Sequence, residues 1–149
     1  MRFRGLLGMA LSTLLSATLM YSVAWLKNPY GRECVSAVNW EREYYLYSPS
    51  SQAQIVEKVS FAQSFFLTGE KSVFRFSSEN EARDYALSLL KEQGAVVVLE
   101  EDCMGVHSIY AFAPKRGGGI LLSGRRVNLH IVQNGARVCV GTPIIFGGY

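Results

Sequence analysis

The 149-residue sequence lacks the short motifs that mark common enzyme and cofactor sites. It contains no G-x-S-x-G, H-E-x-x-H, G-x-x-x-x-G-K-[ST] or G-x-G-x-x-G pattern, so no hydrolase nucleophile, zinc-protease helix or nucleotide loop is indicated. Its three cysteines never have C-x-x-C spacing, and it has two histidines. That spacing would be needed for a common zinc or redox pair. The sequence therefore carries no signature of an enzyme.

Acidic residues are absent from the last part of the chain, where none follows Asp102. Five basic residues do follow it: Lys115, Arg116, Arg125, Arg126 and Arg137. The formal charge of +3 belongs to the N-terminus, because the chain after Lys27 balances at 12 basic against 12 acidic residues. Two interpretations remain open. Either the acidic and basic halves pair their charges, or the basic half forms a rim for an anionic partner.

A stretch of 22 residues without a charge, 5–26, follows Arg2 and Arg4. About 20 apolar residues span the hydrocarbon core of a bilayer as a helix, so a single-pass membrane anchor is predicted. The flanking arginines should remain cytoplasmic, which places the C-terminal domain outside the cytoplasm. The alternative is a signal peptide, since Ser22 and Ala24 are the small residues that cleavage near Ala24 requires, and the protein would then be secreted.

Composition and turn residues divide the chain into three predicted segments. Residues 1–26 are the transmembrane anchor or signal segment, 27–58 a juxtamembrane connecting segment, and 59–149 a folded domain. The order within the domain is strand, helix, then several antiparallel strands. This order predicts an α+β fold in which one main helix packs on one face of a curved antiparallel sheet.

The main helix is predicted from Ser78 onward. The run Ser78-Glu79-Asn80-Glu81 has the capping-box pattern, in which Ser and Glu each accept a free backbone N–H. Gly94 suits the left-handed conformation that often follows a helix end. Between them the apolar residues form one helical stripe: Ala82, Tyr85, Ala86, Leu89 and Leu90.

Alternating or continuous apolar residues predict further strands. They lie at residues 72–76, 95–99, 105–113 and 120–122, the last pairing with 127–132 across Ser123-Gly124. Thr68-Gly69 is interpreted as a break before the first of these strands. The strand at 95–99 is predicted to be largely buried and to end at Glu100.

The strongest hairpin signal is Asn134-Gly135. Interpreted as a two-residue loop, it places Gln133 opposite Ala136 and His130 opposite Cys139. Side chains alternate along a strand, so each face of the hairpin has its own set. The first set, Leu129, Ile131, Val138 and Val140, is predicted to form core. The second set either forms a site or faces water: Asn128, His130, Arg137 and Cys139.

Two groups of residues could carry chemistry. His130 and Cys139, if paired, have the minimum composition of a thiolate nucleophile or, with His107, of a metal site. The loops around residues 115–119 and 125–126 could hold phosphate or carboxylate groups. The candidate ligand-binding residues are Lys115, Arg116, Arg125, Arg126, Asn128, His130, Arg137 and Cys139. No catalytic residue, metal ligand or cofactor is assigned.

Five runs resemble the short clostridial-type members of the YwmB family of Gram-positive bacterial proteins. They are YYLYSPSSQA (44–53), SFAQSFFLTGE (60–70), GVHSIYAFAPK (105–115), RVNLHIV (126–132) and VGTPIIFGGY (140–149). The family is TATA-box-binding-protein-like, and the resemblance implies a helix on a curved antiparallel sheet. It implies no DNA binding, because a near-neutral domain with a membrane-targeting segment lacks the basic, wedge-bearing face of a minor-groove binder.

The expected function is a membrane-anchored, extracytoplasmic, non-enzymatic binding or structural domain of the cell envelope, with a link to wall synthesis or sporulation implied by the resemblance. Its partner would be an envelope protein or an anionic envelope polymer, contacted through the basic C-terminal loops. One alternative is an enzyme or metal site at Cys139 and His130. Another is nucleic-acid binding by analogy of fold, which requires a cytoplasmic domain.

Overall fold

The computed structural model describes residues 39–48 and 53–146, with only the backbone of Asn39, Trp40 and Phe61. The anchor or signal segment predicted at 1–26 lies outside these residues. Across the two described ranges, no helix is both long and apolar enough to span a bilayer.

Within the described residues, seven antiparallel strands form one sheet and two short strands form a separate hairpin. The sheet strands are β1 (Asn39–Leu46), β2 (Gln54–Val56), β3 (Leu67–Arg75), β4 (Val96–Cys103), β5 (Val106–Phe112), β8 (Leu129–Asn134) and β9 (Arg137–Thr142). The hairpin consists of β6 (Ile120–Leu122) and β7 (Arg125–Val127). The helices are α1 (Phe61–Ser64), α2 (Glu79–Glu92) and the 3-10 turn Pro114–Arg116. The spatial order of the sheet is β2-β1-β3-β9-β8-β5-β4.

Helix α2 packs against β8 and β9 on one face of the sheet, which confirms the α+β arrangement of one main helix on an antiparallel sheet. The predicted stripe is buried at Ala82, Ala86, Leu89 and Leu90. The half-buried Tyr85 packs its ring on those of Phe74 and Phe76, with centroids 5.2 and 5.1 Å apart. Ring contacts of this kind add to the burial of apolar area, so the helix and β3 share one core.

Both ends of α2 follow the sequence signals, with one correction. The Glu81 N–H donates to Ser78 Oγ at 3.2 Å, and Gly94 has a φ of +56°. The Glu81 carboxylate, however, accepts the N–H of Ser77 rather than that of Ser78. The cap therefore satisfies two backbone donors, as a capping box does, but one of them lies a residue earlier.

The β8–β9 hairpin has the predicted faces but not the predicted register. Asn134 pairs with Arg137, so the two-residue turn is Gly135-Ala136 rather than Asn134-Gly135. Of these turn residues only Gly135 has a positive φ, +56°, which is the type II′ pattern with glycine first. The shift moves every pair by two residues, and a two-residue shift keeps each side chain on its face. His130 therefore lies opposite Gly141 and not opposite Cys139.

The sheet begins within the segment that was predicted to be a connection. Strand β1 pairs with β3 along its whole length, and the predicted domain start at 59 is therefore corrected to include residue 39. Thr68 and Gly69 lie inside β3 and do not break it. A Cβ at Gly69 would collide with the carbonyl oxygen of Thr142, so this glycine permits the end of β9 to approach closely. Charged and aromatic residues alternate in β1, and this pattern was not interpreted as a strand. The structure shows a strand that pairs with β2 on one side and β3 on the other.

Strand β4 occupies an edge of the sheet, and the prediction that it is largely buried is wrong. Val96 is 64% exposed, and the strand continues through Glu100 to Cys103. A run of apolar β-branched residues suits a buried strand and an edge strand equally, because only neighbours in space decide burial. The pairing of β4 with β5 is irregular between Val97 and Leu99, and acidic residues follow. Both features discourage another strand from pairing with the open edge of the sheet.

The segment after β9 folds back over the sheet face opposite α2. Ile145 joins Val73, Val132 and Cys139 in a buried apolar cluster. A Cβ at Gly141 would lie 2.5 Å from Ile145 Cγ1, so glycine is required at this point of β9. Both faces of the central strands are thus covered, which removes His130 and Cys139 from water.

Candidate functional site

Asn128 organises the basic C-terminal loops. It lies between β7 and β8, is fully buried, and its N–H donates to the carbonyl of Ala111 at 3.1 Å. Its side-chain Oδ1 accepts the N–H of Ala113 at 2.7 Å, and its Nδ2 donates to the carbonyls of Ala113 and Gly117 at 2.9 and 3.0 Å. A buried amide with all these bonds made is a rigid structural link. It ties the end of β5 to the loop that follows.

The β6–β7 hairpin forms because Ser123-Gly124 supplies the turn. Both residues have positive φ, 48° and 77°, which is the type I′ pattern that matches the twist of a two-residue hairpin. Leu122 pairs with Arg125 across it, so the turn is as predicted, but the partner strand is Arg125–Val127 rather than 127–132. Residues 129–134 form β8, which pairs with β5 and β9 instead. The buried Val127 fixes the base of the hairpin next to Asn128.

Residues 114–127 are therefore one unit, named here the basic lobe. It carries four of the predicted ligand-binding residues, Lys115, Arg116, Arg125 and Arg126, and no acidic residue. Lys115, Arg125 and Arg126 are exposed, whereas Arg116 is half-buried. Burial lowers the pKa of the Arg116 guanidinium to about 10, which leaves it charged at neutral pH. The lobe therefore carries four formal positive charges on short, hydrogen-bonded loops, three of them on exposed side chains.

The other four predicted residues lie elsewhere. Asn128 is the structural link beneath the lobe, and Arg137 is half-buried beside Arg75 at the opposite end of β9 from Thr142. His130 and Cys139 lie inside the sheet on the face away from α2. The eight candidates thus divide into four in the basic lobe and four outside it, and the structure does not bring the two sets together.

His130 is held as a neutral acceptor. Its Nδ1 accepts the N–H of Ile145 at 3.2 Å, and its ring stacks on that of Tyr110 with centroids 4.1 Å apart. Burial lowers the pKa of His130 to about 4. A neutral imidazole with one nitrogen bonded to the folded-back segment is a positioning contact for that segment.

Cys139 is equally unsuited to act as a thiolate at neutral pH. Burial raises the pKa of its thiol, although Arg137 and Lys71 oppose the shift. The residue opposite it is Val132, and the thiol belongs to the apolar cluster with Ile145. A catalytic thiol needs a lowered pKa and access, so these surroundings argue against a nucleophile here.

A second polar constellation, which the sequence reasoning missed, surrounds the β4–β5 turn. His107 Nδ1 and Asp102 Oδ1 lie 2.7 Å apart across that turn. They line a cleft of about 360 Å³ together with Glu79, Arg83 and Gln133. The signal was present, because the turn residue Gly105 places positions 102 and 107 opposite each other in a hairpin. His107 is partly exposed and Asp102 largely exposed, which limits the strength of the pair.

Glu70 is a buried carboxyl that no local pattern revealed. It lies in β3 and is 6% exposed. Burial raises the pKa of Glu70 to about 7, and Arg42 opposes that shift. In the sequence it is one of many acidic residues, and only the pairing of β3 between β1 and β9 buries it.

In the described part of the chain, no group of three His, Cys, Asp or Glu side chains is placed to hold a metal ion. Comparison of the chain with protein-family models, curated proteins and solved structures found no match. The resemblance to the YwmB family stays a prediction that rests on the five quoted runs.

Proposed function

We propose that this protein is a non-enzymatic binding domain, anchored outside the cytoplasm, that contacts a polyanionic component of the cell envelope through the basic lobe. The observation that carries the proposal is the Asn128 link, which joins two basic loops into one hydrogen-bonded unit. Ordered cations lose less entropy on binding than cations on flexible loops. Phosphate and carboxylate groups are the anions that such guanidinium and ammonium groups bind.

The charge distribution supports the same proposal. No carboxylate follows Asp102, so the lobe has no acidic residue of its own to neutralise it. Among the described residues, ion pairs join Lys71 with Glu43, Arg75 with Glu41 and His107 with Asp102. A surface of one sign attracts a polymer of the other, and salt weakens the attraction.

The test is binding of the full-length chain to a soluble poly(glycerol phosphate) polymer. Arg125→Gln with Arg126→Gln should weaken binding about fivefold, since two exposed charge contacts contribute on the order of 1 kcal/mol together. The matched control, Lys58→Gln with Lys91→Gln, removes the same charge from exposed positions outside the lobe. If both double variants weakened polymer binding equally, the effect would come from net charge rather than from the basic lobe, and the proposal would be wrong.

The extracytoplasmic location has its own test. The uncharged stretch 5–26 after Arg2 and Arg4 supports export. A reporter that is active only outside the cytoplasm, fused after Tyr149, should be active in the membrane fraction. Activity in the medium would indicate cleavage near Ala24, and activity of a cytoplasmic reporter alone would contradict the proposed location.

A further inference from the structure

Three exposed aromatic residues lie together where β1 ends and β3 begins. Tyr47, Phe65 and Phe66 are 66%, 61% and 60% exposed. The N–H of Tyr47 donates to the carbonyl of Phe66 at 2.7 Å, so the two segments are joined. This group is named here the aromatic end. Large exposed apolar side chains that cluster mark an interaction surface.

The aromatic end is held by local hydrogen bonds and is nearly uncharged. Ser60 caps α1, and the side chain of Gln63 accepts the N–H of Ser60 at 2.9 Å, which fixes the turn before Phe65. Between Tyr47 and Gly69 the sequence has only Glu57 and Lys58 as charged residues, and their charges cancel. A neutral aromatic surface suits the boundary between water and lipid, where amphipathic rings concentrate.

The aromatic end and the basic lobe lie at the same end of the sheet. The register aligns Glu70 of β3 with Thr142 of β9, and Leu129 of β8 with Ala111 of β5. The pairing of His130 with Gly141 places Leu129 next to Thr142, so these four residues form one row across the sheet. From this row, β3 runs back to Phe66 and β5 runs forward to Lys115, so both extend beyond the same edge. Three strand steps separate β3 from β5, about 14 Å at the usual spacing. One flat partner can contact both.

We propose that this end of the sheet docks on the outer surface of an anionic bilayer, with the aromatic end at the lipid interface and the basic lobe on the headgroups. The inference rests on the proposed function and names the lipid phosphate as the anion nearest to an anchored domain. Apolar burial and attraction to anionic lipid act together at such surfaces, and neither suffices alone.

The length of the connecting segment permits this orientation. The chain has 12 residues between Leu26 and Asn39, which span at most about 40 Å when extended. Strand β1, which leads from Asn39 to the aromatic end, has eight residues and is about 27 Å long. A fully extended segment of 12 residues is therefore longer than β1.

The test places an environment-sensitive dye on the full-length chain in lipid nanodiscs. One variant carries it at Ala62→Cys in the exposed part of α1, the other at Met104→Cys in the β4–β5 turn at the opposite end of the sheet. Both carry Cys34→Ser and Cys103→Ser, while the buried Cys139 remains. In discs with phosphatidylglycerol, the dye at 62 should shift to the blue and be quenched from the lipid phase. The dye at 104 should show neither effect.

Two double variants and one matched control separate the contributions of the aromatic end and the basic lobe. Phe65→Ser with Phe66→Ser should abolish the blue shift at position 62, whereas Leu87→Ser with Met104→Ser, which also removes two exposed apolar side chains, should preserve it. Arg125→Gln with Arg126→Gln should abolish the difference between phosphatidylglycerol and pure phosphatidylcholine discs. The docking would be contradicted if the dye signal at position 62 were unchanged by the phenylalanine double variant or by the arginine double variant.

Soluble polymer distinguishes this inference from the function on which it rests. The Phe65→Ser, Phe66→Ser chain should bind poly(glycerol phosphate) like the wild type. If the arginine variants lose polymer binding but the dye never responds to anionic lipid, docking is wrong and the proposed function stands. If the arginine variants keep polymer binding, the proposed function itself fails.

Discussion

Asn128 is the residue on which the shape of the basic lobe depends. Its buried amide makes three hydrogen bonds to the backbone of Ala113 and Gly117, and no charged side chain takes part in them. Because Asn128 alternates with His130 in the sequence, it was predicted to be a ligand-binding residue. The structure gives it a supporting role beneath the cations, since the chain leaves the strand at this residue.

Asn128→Ala should lower the free energy of unfolding by about 2–4 kcal/mol, because the N–H and carbonyl of Ala113 lose buried partners. Urea denaturation measures this loss. Asn134→Ala, at an exposed position at the tip of β8, is the control and should cost less than about 0.5 kcal/mol. Equal destabilisation by the two variants would contradict the assigned role.

Helix α2 is the element that local sequence described best. Its cap, apolar stripe and terminal glycine are encoded within a few residues of each other, so no distant contact was needed to find them. Strand β4 is the opposite case. Its valines predicted burial, but its place at the sheet edge depends on which strands pair with β5.

Ser78→Ala should cost about 1 kcal/mol, because the Glu81 N–H at the start of α2 loses its acceptor. Ser88→Ala provides the comparison inside the same helix, where the Ser88 hydroxyl only donates to the carbonyl of Tyr85. That change should be nearly neutral or slightly stabilising, since alanine is the better helix former. The midpoints of urea denaturation compare the stabilities of the two variants. If the Ser78→Ala chain were as stable as the Ser88→Ala chain, the capping role of Ser78 would be contradicted.

At the scale of the whole molecule, two buried groups give stability opposing dependences on pH. The pKa of His130 is lowered from 6.5 to about 4, so the unfolded chain binds more protons between these values and stability falls as the pH falls. The pKa of Glu70 is raised from 4.5 to about 7, so the folded chain binds more protons and stability falls as the pH rises. Between pH 4.5 and 6.5 the two contributions oppose each other.

Replacing either His130 or Glu70 should reveal the pH dependence of stability that the other contributes. Relative to the wild type, Glu70→Gln should add a slope of up to about 1.4 kcal/mol per pH unit in this window, with stability rising toward neutral pH. His130→Gln should add a slope of the opposite sign. Urea denaturation at a series of pH values measures both slopes. Subtracting the wild-type curve cancels the contribution of the titratable groups that all three chains share. Parallel curves for the three chains would contradict the buried, shifted state of these side chains.

The sequence by itself determined the features that depend on neighbouring residues: helix α2, the Ser123-Gly124 turn, the two faces of the β8–β9 hairpin and the absence of acid after Asp102. Only the tertiary structure decided the register that separates His130 from Cys139, the edge position of β4, the inclusion of β1 and the burial of Glu70. Backbone turns and side-chain periodicity act over a few residues, whereas strand partners and burial depend on contacts between residues far apart in the chain.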